Sequence, residues 1–217
     1  MRFQAGSIEI DAQIDHLIVA GWTGRDIDAV QTHIDELAQL GVAPPSQIPL
    51  FYRVSASLLL HAQTIEVLGA ETSGEVEPLL VNMDGTVWLG LGSDHTDRLL
   101  EAQSVAASKQ ACPKPIGRTL WPLDEVAAHV DQLTMRCWVD EGQGWTLYQD
   151  GTVGNILPLG ELALHASLAP GGAMLCGTLG AIGGVRPAAG YRMELSDPVM
   201  ARSMSLEYRV SQLPVVA

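Results

Sequence analysis

Hydrophobic and polar residues alternate along much of the chain, and this period of two predicts that strands dominate the fold. The segment "FQAGSIEIDAQIDHLIVAG" (residues 3–21) alternates in this way and predicts one or two strands that end at Gly21. Between residues 25 and 40 the hydrophobic spacing changes to three and four, which predicts an amphipathic helix terminated by Gly41. Further strands are predicted in "IPLFYRVSASLLL" (48–60) and "TIEVLG" (64–69).

The dipeptide Asp84-Gly85 predicts a tight β-turn between two hydrophobic segments. The segments are "EVEPLLVNM" (75–83) and "TVWLGLGSD" (86–94), so the sequence predicts a hairpin. Because the two strands of a hairpin run antiparallel, Asp94 at the end of the second strand should return beside the start of the first.

Two more helices are predicted in the middle of the chain, at residues 96–108 and 123–133, with the breaker "CPKP" between them. The remaining segments predict strand and turn, so the few helices are expected near the first half. These elements predict a mixed, β-rich α+β fold. The later strands are predicted in "TMRCWVDEG", "GWTLYQDG", "GGAMLCGTLGAIGG", "YRMELSDP" and "MSLEYRVSQL".

The composition is that of a folded protein with an acidic surface. Of the 217 residues, 47% are hydrophobic and 17% are charged, which supplies enough apolar surface for a core. The net charge of −13 makes nucleic acid and membrane surfaces poor partners. Residues 1–11 lack the features of a signal peptide and there is no membrane-length apolar run, so a cytoplasmic location is expected. The three cysteines have no metal-site or disulfide spacing and are expected to be buried thiols.

Two carboxylates, Glu75 and Glu77, lie two residues apart on a predicted strand and should therefore share one face. They could simply face solvent, where their repulsion costs little. Alternatively they could bind a hard divalent cation, with Asp94 as the third ligand. Three carboxylates and water suit Mg²⁺ or Mn²⁺, and such a site keeps positions open for a substrate's oxygens. His95 adjoins Asp94 and is a candidate for supporting it.

Other residues could contribute to chemistry at such a site. His33 and Glu36 are three apart on the predicted helix, so Glu36 could orient His33 to activate a water molecule. They could equally be an ordinary helix-surface pair. Lys109 could hold a substrate carboxylate, or could be an exposed lysine. The glycine-rich "CGTLGAIGG" (176–184) lacks the ending of a phosphate-binding loop and predicts a turn where backbone approaches another group closely.

In order and spacing, these motifs resemble the fumarylacetoacetate hydrolase (FAH) superfamily from about Ile18 almost to the C-terminus. The chain is similar to a bacterial branch of that superfamily that is defined as a domain of unknown function. Four positions differ from the residues usual in the superfamily, namely Arg53, Val54, Asp97 and Leu179. The segments that carry the resemblance are "AGWTGRDIDAVQTHIDEL", "PLFYRVSAS", "SGEVEPLLV", "GSDHTDR", "ASKQACP", "YQDGTVGNILPLGELALHAS" and "LAPGGAMLCGTLGAIGGVRPAAGYRMEL".

The resemblance implies one FAH-like domain over residues 1–217, with N-terminal strands in 1–20 and a catalytic core in 21–217. It implies a mixed β-sandwich roll, a homodimer, and Mg²⁺ or Mn²⁺ on the three carboxylates. It also implies roles for nine residues at that site. Metal ligands would be Glu75, Glu77 and Asp94, catalytic residues His33, Glu36 and Lys109, and substrate-binding residues Arg53, Arg98 and Thr178.

The function expected from this resemblance is cleavage of a C–C bond, by hydrolysis or decarboxylation, in a small 2-oxo or 2,4-dioxo acid. One alternative is keto-enol isomerisation of an oxo acid, which needs the metal but no hydrolytic water. Another is a non-catalytic protein that binds an oxo acid or a dicarboxylate through the metal. A purely structural dimer would respond to neither metal nor ligand.

Overall fold

The structure, a computed structural model, describes residues 1–39 and 43–216, without the side chains of His33, Glu36 and Leu37. Seventeen strands and five α-helices are found in these ranges. None of these helices is long and apolar enough to cross a membrane. The strands are β1 Arg2–Ala5, β2 Ile8–Asp11, β3 His16–Gly21, β4 Leu50–Val54, β5 Leu59–Leu60, β6 Thr64–Leu68, β7 Thr72–Ser73, β8 Val76–Met83, β9 Thr86–Ser93, β10 Thr96–Asp97, β11 Lys114–Pro115, β12 Trp121–Pro122, β13 Thr134–Asp140, β14 Trp145–Thr152, β15 Gly172–Leu175, β16 Gly190–Asp197 and β17 Arg202–Leu213. The helices are α1 Ile27–Gln39, α2 Arg98–Glu101, α3 Val105–Ala111, α4 Leu123–Val126 and α5 Leu159–His165, with 3₁₀ turns at Ala56–Leu58, Val130–Gln132 and Val153–Asn155.

Two large mixed sheets form the body of the protein. The first has six strands in the order β12-β9-β8-β15-β3-β4, and β15 and β3 are its parallel pair. The second has five strands in the order β14-β13-β16-β17-β6, and β17 and β6 are its parallel pair. Strand pairs β1-β2, β7-β10 and β5-β11 complete the described strands. The β-rich α+β prediction is confirmed.

The six-stranded sheet is buried on both faces. On one face, Leu80 and Leu91 join Met135 and Met193 of the five-stranded sheet in one hydrophobic core. On the other face, Leu79 belongs to a second core. This double burial explains why β8 is a nearly continuous apolar segment rather than an alternating one. The cysteines Cys112, Cys137 and Cys176 are free and buried, as the sequence predicts.

The predicted hairpin forms between β8 and β9. Asp84 and Gly85 both have positive φ, at 50° and 91°, which is the conformation of a two-residue hairpin turn. The register pairs Val76 with Ser93, so the residues flanking the open end of the hairpin lie side by side. The hairpin therefore brings Asp94 to Glu75, as predicted.

The helix predicted at residues 96–108 is wrong in its extent. The chain forms β10 first and then two short helices, α2 and α3, separated at residues 102–104. Asp97 caps α2 by accepting from the Leu100 N–H at 2.9 Å, and Ser104 caps α3 by accepting from the Ala107 N–H at 3.2 Å. These two side chains each start a new helix, which explains the break.

Two further helix predictions need correction. The helix predicted at 123–133 forms only as α4 and a 3₁₀ turn, because His129 leaves the helix and bonds Asp197 through Nε2 at 3.0 Å. Helix α5 lies in the second half, where only strand and turn were expected. It follows Pro158 and buries Leu159 and Leu162 against the main core. By contrast, the prediction of α1 is confirmed within one or two residues of its ends over the described range.

Candidate metal centre

Three carboxylates meet at the open end of the β8–β9 hairpin. Glu75, Glu77 and Asp94 each place a carboxylate oxygen within 4.8 Å of the others. The Asp94 N–H donates to the Glu75 carbonyl at 3.2 Å, which holds the two strand ends together. Glu77 is 2% exposed and Asp94 is 0% exposed, so the alternative of two glutamates on a solvated face is wrong for this cluster.

Both lysines of the chain contact Asp94. Lys109, near the end of α3, donates to Oδ2, and Lys114, on β11, lies 3.0 Å from Oδ1. Lys114 also donates to the His95 carbonyl. The sequence has only these two lysines, beside ten arginines, so every lysine contacts the same carboxylate. Lys109 is thus buried, and the alternative of an exposed surface lysine is wrong.

These contacts displace the pKa values of the three groups. Burial acts to raise the pKa of Asp94, but the two lysines outweigh it and hold that pKa well below its usual range. Burial acts to lower the pKa of Lys109, but attraction by Asp94 and Glu77 outweighs it and raises the pKa. For Lys114 burial dominates and lowers the pKa, with Asp94 opposing the shift.

Arg98 is held entirely by protein groups in the structure. Its Nη2 lies 3.1 Å from Glu75 Oε2, its Nη1 donates to Glu101 at 2.8 Å, and its Nε donates to the Ser73 hydroxyl at 2.6 Å. A guanidinium held by three partners fixes the orientation of Glu75. Arg98, expected to bind substrate, is therefore placed against a candidate metal ligand.

Glu77 has no ion-pair partner among the described residues. Its Oε2 accepts a hydrogen bond from the Gly177 backbone N–H at 2.8 Å. Burial raises the pKa of Glu77 well above its usual value, and repulsion by Asp94 adds to the effect. Gly177 has φ +101°, and a Cβ there would lie 1.7 Å from Thr23 Oγ1. Glycine at this position permits the close backbone approach that the glycine-rich segment predicts.

The residues present fit a hard divalent cation. Three carboxylates face three cationic side chains, yet the contacts pair two cations with Asp94 and one with Glu75. Glu77 is the buried carboxylate of the three that forms no ion pair among the described residues, although Lys109 attracts it at longer range, and burying such a group is costly in a low-dielectric interior. A divalent ion bound by oxygens of all three carboxylates would offset that charge, and carboxylate oxygens are the ligands such ions prefer.

The other residues predicted to belong to the site do not contact the three carboxylates in the described structure. Thr178 donates its hydroxyl to the Val76 carbonyl at 2.7 Å and accepts from Gln149 at 2.8 Å, so it joins the loop after β15 to the start of β8. Arg53 is exposed on β4, and the alternation of the strand directs it away from the side of Tyr52. The side chains of His33 and Glu36 lie outside the described residues.

Several residues around the cluster were missed by sequence reasoning. The sequence contained one indication that Lys114 belongs to the site: it is one of only two lysines and lies five residues from Lys109. Gln149 is buried, accepts from the Val76 N–H at 2.9 Å and donates to the Leu179 carbonyl at 2.6 Å. No local pattern in "YQDG" marks it, because its partners are far away in sequence.

A buried polar network supports the backbone next to Asp94. His95 bonds Tyr208 Oη through Nδ1 at 3.0 Å and Thr72 Oγ1 through Nε2 at 2.9 Å. The Tyr208 hydroxyl also bonds Ser93 at 2.9 Å. Burial lowers the pKa of His95 to about 3, with Lys114 adding to the shift, so the imidazole is neutral at physiological pH. This arrangement agrees with a supporting position for His95.

Solved structures share this architecture at low sequence identity. Cg1458 with an inhibitor matches with a TM-score of 0.65 and 15% identity, covering 96% of this chain and 84% of that one. 2-Keto-3-deoxy-D-arabinonate dehydratase complexed with magnesium and 2,5-dioxopentanoate matches with a TM-score of 0.63 and 12% identity, covering 94% and 75%. 4-Oxalocrotonate decarboxylase from Pseudomonas putida G7, complexed with calcium and acetate, matches with a TM-score of 0.60 and 16% identity, covering 89% and 76%. The expected FAH-like fold is confirmed.

The sequence comparisons give a family and no curated relative. No curated protein matches the chain significantly. A family model described as "Protein of unknown function (DUF2848)" matches residues 20–208, which include the acidic cluster and both lysines. The chain therefore belongs to the DUF2848 family.

Proposed function

We propose that this protein is a divalent-metal-dependent enzyme that cleaves a C–C bond, by hydrolysis or decarboxylation, in a small 2-oxo or 2,4-dioxo acid. The observation that carries the proposal is Glu77, a buried carboxylate that forms no ion pair in the described structure, beside Glu75 and Asp94. The magnesium and calcium complexes of a dehydratase and a decarboxylase with the same fold support it.

In the proposed site, the three carboxylates hold Mg²⁺ or Mn²⁺ and leave part of its coordination sphere to the substrate. When bound, the ion would polarise the substrate's oxo group and stabilise the negative charge that develops as the C–C bond breaks. Gly177 keeps Glu77 in place through its N–H, and Arg98 keeps Glu75 in place. Preorganised ligands of this kind avoid a reorganisation cost during the reaction.

Lys109 and Lys114 have different proposed roles because their exposure differs. The Lys114 side chain is fully buried, so it acts as a positioning residue that fixes Asp94 and the His95 carbonyl. The Lys109 side chain retains a small exposed fraction, so it can turn its ammonium toward a substrate carboxylate while remaining near Asp94. A carboxylate on the substrate would be attracted to this cation.

The remaining roles are proposals from the sequence. His33, oriented by Glu36, would activate the hydrolytic water. Arg53 would attract the acidic substrate from the protein surface, and the backbone at Thr178 would close the site. The homodimer also stays a proposal, which light scattering on the purified protein would test.

Two alternative functions make different demands on the same site. A keto-enol isomerase needs no hydrolytic water, so His33→Ala would spare it while abolishing cleavage of an acylpyruvate. A non-catalytic binding protein would be stabilised by metal and oxo acid and form no product on prolonged incubation. Assaying wild type and His33→Ala with oxaloacetate and with an acylpyruvate separates the three.

The first test is a thermal-shift titration of EDTA-treated protein with Mg²⁺ and Mn²⁺, with and without oxalate. We expect a metal-dependent rise in Tm that oxalate enlarges, because ligands that bind only the folded state stabilise it. Glu77→Gln should lose this response. Glu66→Gln, an exposed glutamate on β6, is the matched control and should keep it. A Glu77→Gln variant with full metal response would refute the ligand assignment.

A further inference from the structure

A β-bulge in β14 directs two consecutive side chains into the protein interior. Along β13, Cys137 pairs with Gln149 and the next residue pairs with Leu147, so Tyr148 is the extra residue of the bulge. Tyr148 and Gln149 are both 0% exposed, whereas strict alternation would direct one of them outward. Bulges re-aim side chains in this way and are frequent next to active sites.

Gln149 binds the residue that separates two of the candidate metal ligands. The pairing of β15 with β8 ends before it reaches Val76. There the Val76 N–H donates to Gln149 Oε1 at 2.9 Å, and the Val76 carbonyl accepts from the Thr178 hydroxyl at 2.7 Å. Two side chains therefore hold the backbone between Glu75 and Glu77, where β15 no longer does.

The same carboxamide holds the glycine-rich loop that follows β15. Gln149 Nε2 donates to the Thr178 hydroxyl at 2.8 Å and to the Leu179 carbonyl at 2.6 Å. Immediately before these two residues, the Gly177 N–H donates to Glu77 Oε2 at 2.8 Å. One side chain therefore fixes the loop relative to the strand that carries Glu77, and this relation determines whether the Gly177 N–H reaches its carboxylate.

The other residue of the bulge binds a later part of the same loop. The Tyr148 carbonyl accepts from the Ile182 N–H at 2.7 Å. The Arg186 guanidinium lies over the Tyr148 ring, 5.0 Å from its centroid. The bulge therefore binds the loop in two places, at residues 178–179 and at residues 182–186.

We propose that Gln149 is a positioning residue of the metal site, which keeps Glu77 oriented toward the ion by locking the Gly177 loop onto the backbone of Val76. This inference rests on the proposed function. Glutamine suits the position because one neutral carboxamide both accepts and donates hydrogen bonds. It therefore satisfies an N–H and two oxygens without adding charge beside three carboxylates.

The test is the Mg²⁺ affinity of Gln149→Met, measured by titration calorimetry on folded protein from which metal has been removed. Methionine has a similar length but makes none of the three hydrogen bonds. We expect the dissociation constant to rise by about 10–100-fold, the usual effect of removing a group that orients a metal ligand. A purely structural role would lower Tm and leave this constant unchanged while the protein is folded.

The matched control is Asp150→Asn. Asp150 follows Gln149 on β14, but its side chain is exposed and pairs with Arg136. This variant should bind Mg²⁺ as wild type does, because its contacts lie on the outer face of the sheet.

A double-mutant cycle tests the route through the loop. Thr178→Val keeps the shape of the side chain and removes the hydroxyl that bonds both Gln149 and Val76. The rise in dissociation constant for Gln149→Met/Thr178→Val should be clearly smaller than the product of the two single rises. If Gln149→Met does not fold, Thr178→Val alone decides, and a wild-type Mg²⁺ affinity in that variant would refute the coupling.

The outcomes separate this inference from the proposed function. If wild type binds Mg²⁺ and Gln149→Met binds it equally well, the positioning role is refuted and the proposed function stands. Rises that simply multiply in the double variant would also overturn the route through the loop. If wild type binds no Mg²⁺, the metal site of the proposed function fails and the inference fails with it.

Discussion

Replacing Lys114 with methionine tests the electrostatic organisation of the site most directly. The side chain is 0% exposed, lies 3.0 Å from Asp94 Oδ1 and donates to the His95 carbonyl. Methionine fills a similar volume and removes the charge. Breaking a buried ion pair by removing one partner costs about 3–5 kcal/mol, because the other charge is left uncompensated. Lys109 still contacts Oδ2, so the lower end, about 3 kcal/mol, is expected.

The assay is thermal and urea unfolding of EDTA-treated protein. For a chain of this length, each kcal/mol lowers Tm by about 2–4 °C, so Tm should fall by about 6–12 °C. Arg136→Met is the matched control, since it removes a cation from the half-exposed pair with Asp150. Exposed pairs contribute about 0–1 kcal/mol, so the control should change little.

A double-mutant cycle identifies the partner. If Lys114 acts through Asp94, the loss in Lys114→Met/Asp94→Asn should be clearly smaller than the sum of the single losses. A Lys114→Met variant that loses less than about 1 kcal/mol without metal would refute the buried pair. Additive losses would place the effect of Lys114 on the His95 carbonyl instead.

Three other predictions concern single contacts of the site. Gly177→Ala should destabilise the protein by at least about 1–3 kcal/mol, the cost of the strained backbone at φ +101°, because its Cβ would also collide with Thr23. The collision should displace the N–H from Glu77 and abolish the Mg²⁺ thermal shift. Thermal and urea unfolding with and without Mg²⁺ measure both effects. The pKa of Glu77 is raised in the folded state, so the folded protein binds a proton at Glu77 more tightly than the unfolded protein does. Without metal, the stability that this protonation contributes is therefore lost as pH rises above the ordinary glutamate pKa. Tm measured against pH in EDTA should therefore fall more steeply for wild type than for Glu77→Gln, and parallel curves would contradict the shift. Tyr208→Phe should cost about 1–3 kcal/mol in thermal unfolding, because it removes a hydroxyl that bonds both His95 and Ser93 in the interior, and an unchanged Tm would show that the network adds nothing.

Local patterns in the sequence were sufficient to predict the strands, the turn and the glycine-rich loop that surround the candidate site. Local hydrophobic patterns predicted the longer strands, and the Asp84-Gly85 turn determined the register that places Asp94 beside Glu75. A two-residue turn determines the pairing of its strands, so a contact across nineteen sequence positions followed from a dipeptide. The glycine-rich loop was also predictable, because only glycine permits a close approach at Gly177.

Helix boundaries could be predicted only in part. The stripe of α1 was sufficient because many residues repeat the same spacing. The region after Asp94 instead depends on two capping side chains, Asp97 and Ser104, which divide it into α2 and α3. Capping residues can be recognised in a sequence, but here the hydrophobic spacing continues across them and predicted one uninterrupted helix. Helix α5 was missed because its seven residues are stabilised by burying Leu159 and Leu162, which tertiary packing supplies.

The sequence alone determined the longer strands, the β8–β9 hairpin and the proximity of Asp94 to Glu75, because these depend on local periodicity and on a two-residue turn. Only the tertiary structure decided which charges meet: both lysines on Asp94, Arg98 on Glu75, and Glu77 left to the Gly177 N–H. It likewise placed the Tyr52 ring beside Lys109, and Trp22 Nε1 within hydrogen-bonding distance of Tyr52 Oη. These contacts join elements distant in sequence, and their energies come from burial in a shared interior, which no local periodicity encodes.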